Sequence, residues 1–148
     1  MASRKTTSEG LLAARFSITI DGVEIAAFSE LLDLTSSIEP DEIEPDTAPT
    51  AKKLPGKRNP PTVTLKRGMT KNVELWAWHE AAWVGDASAR KNCSLVMFSA
   101  EGKPVARFHL ENAWPSRVSI AAPKAGGNEA MKETVTLVCD DLQRLTPA

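Results

Sequence analysis

Thr62-Val63-Thr64-Leu65-Lys66-Arg67-Gly68, reached through Lys53-Leu54-Pro55-Gly56 and followed by Leu75-Trp76-Ala77-Trp78, decides how this chain is read. Thr62, Thr64 and Lys66 alternate with Val63, Leu65 and Arg67, so the segment is a strand with two unlike faces. Gly68 breaks the strand, and Thr70 is placed to cap a helix running to about Gly85. No residue in this stretch is suited to covalent chemistry.

Towards the N-terminus, Phe16, Ile18 and Ile20 alternate with Ser17 and Thr19, and Asp21-Gly22 supplies the turn of a tight hairpin. The partner strand runs from about Val23 to Phe28 and continues, bent, through Leu31 to Leu34. Residues 1–14 read as a flexible arm, and 15–148 as one domain. Pro40, Pro45, Pro49, Pro55, Pro60 and Pro61 crowd the following segment. Proline gives up the donor that a sheet ladder needs, so about 39–61 is expected to be an extended loop or arm. A loop of that length inside one domain is expected to carry function.

Beyond the helix, Asp86 to Asn92 reads as a loop, Ser94 to Ser99 as a strand and Glu101-Gly102-Lys103 as a turn. Val105 to Asn112 is the hairpin partner, ended by Trp114-Pro115. Arg117 to Ala121 and Met131 to Cys139 are the last strands, across a Gly126-Gly127-Asn128 loop. Roughly six or seven strands in runs, with one substantial helix, indicate a mainly β fold. The expected architecture is a small antiparallel β-barrel or sandwich with one flanking α-helix.

That helix is apolar on two sides. Val73, Trp76, Ala77 and Val84 share one stripe, and Leu75, Trp78 and Ala82 another. Together they exceed the face that a surface helix requires. Packing against the barrel accounts for the Trp76 stripe. The second is then left for another subunit, which makes Leu75 and Trp78, with the adjacent His79, the candidate interface.

A chain of 148 residues can bury a core without staples, and its net charge of −1 argues against a nucleic-acid binder. The charges come in blocks. Glu39, Asp41, Glu42, Glu44 and Asp46 form an acidic run, followed by basic Lys52, Lys53, Lys57, Arg58, Lys66, Arg67 and Lys71. Such blocks are solvated loops, or complementary patches that meet on neighbouring subunits and fix register. Cys93 and Cys139 lie in apolar, strand-like surroundings that suit reduced, buried thiols. The first ten residues lack the apolar centre of a signal peptide, and no stretch approaches a membrane span, so a cytoplasmic protein is expected.

Motifs of catalysis are missing: no nucleophile elbow, no P-loop and no dinucleotide fingerprint occurs. A zinc site would have to gather His79, His109, Cys93 and Cys139 from four separate elements. Asp140 and Asp141, as strand neighbours, would point to opposite faces and read as a solvated chain end. The acidic run lacks the glycine and closing glutamate of a calcium loop, and the basic run has no aromatic before Trp76 on which bases could stack. No catalytic, metal-binding or cofactor-binding residue is therefore expected.

The ordered set KLPG, TVTLKRG and LWAW resembles the inner-tube subunits of contractile phage-tail-like machines: phage tail-tube proteins and the tubes of bacterial contractile injection systems. The resemblance extends over most of residues 15–144, through FSITIDGV, AFSEL, ENAWP, and Asn128-Glu129 followed by ETVTL. It is strongest to actinobacterial tube proteins, through KRNPPTVTLKRG and CSLVMFSAEGKPVARFHLENAWP. Phe108 stands where many members carry tryptophan, and the Ser36 to Thr47 segment has extra prolines. The family fold is a small β-barrel with one flanking helix, similar to haemolysin-coregulated proteins of type VI secretion.

The resemblance implies a structural subunit, not an enzyme. Six copies would form a ring, and rings would stack into a rigid hollow tube that sheath contraction drives and through which cargo passes. Implied partners are the chain itself, a sheath protein, baseplate and spike proteins, tube-terminating proteins and protein cargo in the lumen, with no membrane insertion and no sequence-specific nucleic acid. Lys52, Lys53, Leu54, Pro55, Gly56, Lys57 and Arg58 would lie in a loop bridging subunits or rings. Ser17, Thr19, Thr64 and Lys66, alternating with apolar neighbours, are the candidates for the channel face. The alternatives are a phage tail tube conveying DNA and a type VI-like secreted ring that carries effectors.

Overall fold

The computed structural model describes residues 10–43 and 52–147. In chain order the elements are β1 (Arg15–Ile20), β2 (Val23–Phe28), β3 (Glu30–Ile43), β4 (Lys52–Gly68), α1 (Glu74–Trp83), β5 (Lys91–Phe98), β6 (Pro104–Ala121), β7 (Lys132–Val138) and β8 (Asp141–Leu145). All pairings are antiparallel, along the path β2-β1-β5-β6-β7-β4-β3, with β8 joining on β6.

Two corners fold this path into layers. At the first, β6 itself turns: its first half pairs with β5 and β8 and its second half with β7. The bend falls where Asn112 adopts φ +51, a left-handed conformation that asparagine tolerates better than most residues. The Asn112 amide donates to Asn92 Oδ1 and its side chain to Asp140 Oδ2, each at 2.9 Å. At the second corner the chain leaves β2, paired with β1, and enters β3, paired with β4. Here the Ser29 amide donates to the Lys66 carbonyl at 3.0 Å.

The core forms between the layers. Phe16, Ile18, Leu95 and Leu110 face it from one side and Val63, Leu65, Val135 and Leu137 from the other. Burying each such side chain contributes roughly 1.5–3 kcal/mol. The period-two alternation legible in TVTLKRG is what places Val63 and Leu65 inside and Thr62, Thr64 and Lys66 on the outer face. Asp21 (φ +52) and Gly22 (φ +78) form the tight β1–β2 turn, both residues in the positive-φ region that a two-residue hairpin of this kind requires.

Several expectations need correction. The proline-rich segment is not a loop where it is described: β3 and β4 continue outward as a two-stranded ribbon, paired as far as Ile43 with Lys52. β7 pairs with β4 only from Thr62 inward, so the outer half of β4 has an open edge, where a proline breaks no ladder. The expected break at Trp114-Pro115 is a bend within one 18-residue strand. Asp140-Asp141 is not a free end, since Asp141 opens β8 and Arg58 Nη2 donates to its carboxylate at 2.7 Å. The helix starts later than Thr70 implied: the Glu74 amide donates to Asn72 Oδ1, and Thr70 Oγ1 receives only the Asn72 amide. Of the expected arm, residues 1–9 lie outside the described part, and the Ala14 amide is tied to the Phe98 carbonyl.

Candidate assembly surfaces

Three surfaces remain once the core is accounted for, and the ribbon is the first. Pro40 stands opposite Pro55, Asp41 opposite Leu54, Glu42 opposite Lys53 and Ile43 opposite Lys52. Where they are described, part of the acidic run (Glu39, Asp41 and Glu42) and part of the basic run (Lys52 to Arg58) thus lie on two adjacent strands, with Glu42 and Lys53 as a directly opposed pair of opposite charge. Gly56 and Lys57 together oppose Glu39, because the register shifts between Ile38 and Pro40. At Gly56 a β-carbon would lie 2.6 Å from the Asp41 carboxyl, so a larger residue would push that side chain away. Ile38, Ile43 and Leu54 are large apolar residues left exposed along the ribbon. The Arg58–Asp141 ion pair, 2.7 Å, ties its base to β8. Of the predicted bridging residues, Lys52 to Arg58 therefore form one strand, with Lys52, Lys53, Leu54, Pro55, Lys57 and Arg58 exposed.

The second surface is the outer side of α1, and it is the reverse of the one expected. Leu75 and Trp78, predicted at an interface, are 4% and 7% exposed and belong to the subunit's own core. Trp78 Nε1 donates to the Ala89 carbonyl, which sits on the short 3-10 turn Ala87–Ala89. A buried indole needs such a partner, and the turn after the helix supplies it. Trp76, predicted in the core, is 43% exposed, and Trp83, which sequence reasoning passed over, is 80% exposed. His79 lies between these two rings, with centroid separations of 5.7 and 6.0 Å. Its Nδ1 is 2.8 Å from the Pro115 carbonyl, which can only accept, so that nitrogen carries the proton. Trp76, His79, Glu80, Trp83 and Val84 line a shallow hollow of about 350 Å³.

The third surface is the outer face of the β4–β7 layer. Thr64 Oγ1 and Thr136 Oγ1 meet at 3.2 Å, and Thr62, Lys66 and Thr134 continue the polar row, all of them half-buried. Thr64 and Lys66 fit the predicted channel face in chemistry. Ser17 does not, being 1% exposed, with its hydroxyl donating to Glu24 Oε1 at 2.6 Å. Arg15 Nη1 donates to the same oxygen, and together the two hydrogen bonds hold the Glu24 carboxyl below its ordinary pKa. Ser17 and Thr19 lie on the outer face of the other layer, across the core from Thr64 and Lys66. The structure does not bring these four residues onto one wall.

Arg67 and Glu133 carry a buried ion pair, Nε to Oε1 2.7 Å, directly across β4 and β7. The Arg67 guanidinium also lies 5.3 Å from the centre of the Phe28 ring. The sequence placed Arg67 in a solvated basic run, and alternation with Leu65 was the signal that it points inward. Cys93 and Cys139 are free and buried. Burial pushes Cys93 up to about 12, with Cys139 adding to the rise, and raises Cys139 to about 11. Both are therefore thiols at neutral pH and poor nucleophiles. Among the described residues no cluster of His, Cys, Asp and Glu could hold a metal ion, and no helix is long and apolar enough to cross a membrane.

A mainly β body with one helix on its flank matches the expected architecture, and the relationship holds at the level of sequence. Residues 12–143 match the T4-like virus tail tube protein gp19 family. The chain belongs to this tail tube family. No curated protein matches it. Among solved structures, a chain of the extended-state sheath–tube complex of the extracellular contractile injection system PVC is similar at 18% identity, with a TM-score of 0.78 and 99% of each chain covered. A chain of the anti-feeding prophage tube-terminating cap has the same TM-score at 20% identity, covering 99% of this chain and 95% of that one. Hcp1 from Flavobacterium johnsoniae is more distant, with a TM-score of 0.52 at 13% identity over 87% of this chain and 93% of its own. At such identities the likeness is one of fold, and in the first two it runs along almost the whole of this chain.

Proposed function

We propose that this tail tube protein is the inner-tube subunit of a contractile injection system. Six copies close into a ring, rings stack into a hollow tube, and the tube conveys cargo when a surrounding sheath contracts. The observation that carries the reading is the family match over residues 12–143, joined to a fold shared end to end with a chain of a sheath–tube complex. Physical features support it. The ribbon has open backbone edges and exposed apolar side chains, a combination that a monomer leaves at risk of aggregation and an assembly covers. Head-to-tail contacts that close by rotation use two different surfaces per subunit, and the ribbon is one such surface.

The threonine row of Thr62, Thr64, Thr134 and Thr136, with Lys66, supplies the channel face. Hydroxyls dominate this row, with Val138 opposite Thr62 at one end, and a mainly polar wall offers cargo little to adhere to. Sheath, baseplate and spike, and terminating proteins are the partners, the particle is the place of residence after assembly in the cytoplasm, and the role is structural. Negative-stain imaging of the purified chain tests the reading: rings or tubes with a central channel are expected. A chain that stays monomeric by light scattering at high concentration overturns it.

A further inference from the structure

We infer that the hollow on the outer side of α1 is a receptor for an arginine side chain of a partner protein, a role beyond the tube reading and independent of it. Trp76, His79, Glu80, Trp83 and Val84 line the hollow. The half-buried His79 ring is its floor, and the more exposed indoles flank it, with centroids 5.7 and 6.0 Å away. His79 Nδ1 donates to the carbonyl of buried Pro115, so Nε2 is an acceptor that points the other way, out of the body. Glu80 is exposed and makes no ion pair among the described residues.

Two ring faces, one carboxylate and one lone pair all attract positive charge or a donor. No basic side chain lines the hollow, and none stands in the last turn of α1 to offset the negative end of the helix dipole. An aliphatic group would cover the indoles and leave Glu80 and Nε2 unanswered. An ammonium is a strongly hydrated point charge without a flat face. A guanidinium is planar and weakly hydrated, so it stacks on an indole and keeps the donors along its edge for Glu80 and Nε2. The floor is set in advance, because His79 is held by Pro115 and packs against both indoles.

The arginine comes from another protein. In this chain Arg15, Arg58 and Arg67 are paired with Glu24, Asp141 and Glu133, Arg107 is half-buried, and the Arg144 guanidinium lies over the Phe108 ring. Arg90 and Arg117 are exposed. Arg90 lines the cleft at the C-terminal end of α1, however, and Arg117 lies two residues beyond Pro115, so both belong to the side that carries the hollow. A copy docking head to tail presents a different side.

The test titrates the full chain, assembled and unassembled fractions apart, with the blocked peptide acetyl-Gly-Arg-Gly-amide and follows tryptophan fluorescence. A saturable change is expected in both fractions. The lysine peptide should bind at least about ten-fold more weakly, and the citrulline peptide, equal in shape but uncharged, should not bind. Glu80→Gln should weaken the arginine peptide by at least about ten-fold, with an unchanged circular dichroism spectrum, since the side chain is exposed. Trp83→Leu keeps apolar area without a ring face and should lose binding, whereas Trp83→Phe should retain part of it. No saturable change, equal binding of the three peptides, or binding indifferent to Glu80→Gln and Trp83→Leu overturns the receptor and leaves the tube reading standing. Binding confined to the unassembled fraction means that a second copy covers the hollow, and it overturns the assignment to another protein.

Discussion

The layered body and the ribbon are built from the same two strands and obey opposite rules. Inside the body, β4 alternates Val63 and Leu65 under cover with Thr62 and Thr64 above, and β7 pairs along its second edge. A few residues earlier the same strand is Lys53-Leu54-Pro55, with β3 on one side and an open edge on the other. The body's stability is its own, whereas the ribbon holds its shape by one ladder and contributes almost nothing to the core. The ribbon therefore carries Ile38, Ile43 and Leu54 outside the core that covers their counterparts in the body.

The sharpest way to break the contrast is at the buried ion pair. Glu133→Ala leaves Arg67 charged inside the body and should cost about 3–5 kcal/mol in urea denaturation. Replacing both partners together, Arg67→Met with Glu133→Leu, should cost much less, because no charge is then left buried alone. A cavity is the next largest effect. Leu65→Ala should lose about 2–5 kcal/mol, while Leu54→Ala, eleven positions away on the same strand, should stay within about 0.5 kcal/mol. Equal losses at the two positions would erase the distinction between the regions.

Deleting residues 41–54 and closing the gap with two glycines should leave the urea midpoint of the body close to wild type while abolishing assembly. If the shortened chain fails to fold, the ribbon belongs to the body after all. The smallest effect is at the ribbon's base. Arg58, and then Gln143, hold the Asp141 carboxyl below its ordinary value by hydrogen bonding to the charged form. The tie is complete above the ordinary carboxylate pKa and is lost as pH falls through the lowered folded value. Amide exchange along the outer half of β4 should therefore quicken only in that acid range, and in Arg58→Gln it should already be fast at neutral pH.

Alternation made the body legible. TVTLKRG, FSITI and ETVTL each placed their apolar residues on the buried side, because period two leaves no freedom once one face is covered. The ribbon was misread because its prolines speak against a ladder in general, whereas an edge with no partner has no ladder to lose. The helix failed for a different reason. With tryptophans on both stripes, Trp76 and Trp78 compete for the core, and periodicity cannot choose between them. In the structure Trp78 packs in the core and its indole N–H reaches the Ala89 carbonyl on the 3-10 turn, a partner outside the helix that periodicity does not see. Trp83 belongs to neither stripe as read from the sequence, yet it lies seven positions after Trp76 on the same side of the helix. Asp141 and β8 were hidden by their shortness.

The bend at Asn112 has a mechanical consequence. Because β6 runs unbroken through the corner, the two layers of the subunit are joined by continuous main chain. A shear applied to one layer is carried to the other by covalent bonds under tension, with no need for side chains to grip across the core. In the tube proposed above, a subunit built this way would transmit a sudden axial load without its halves sliding.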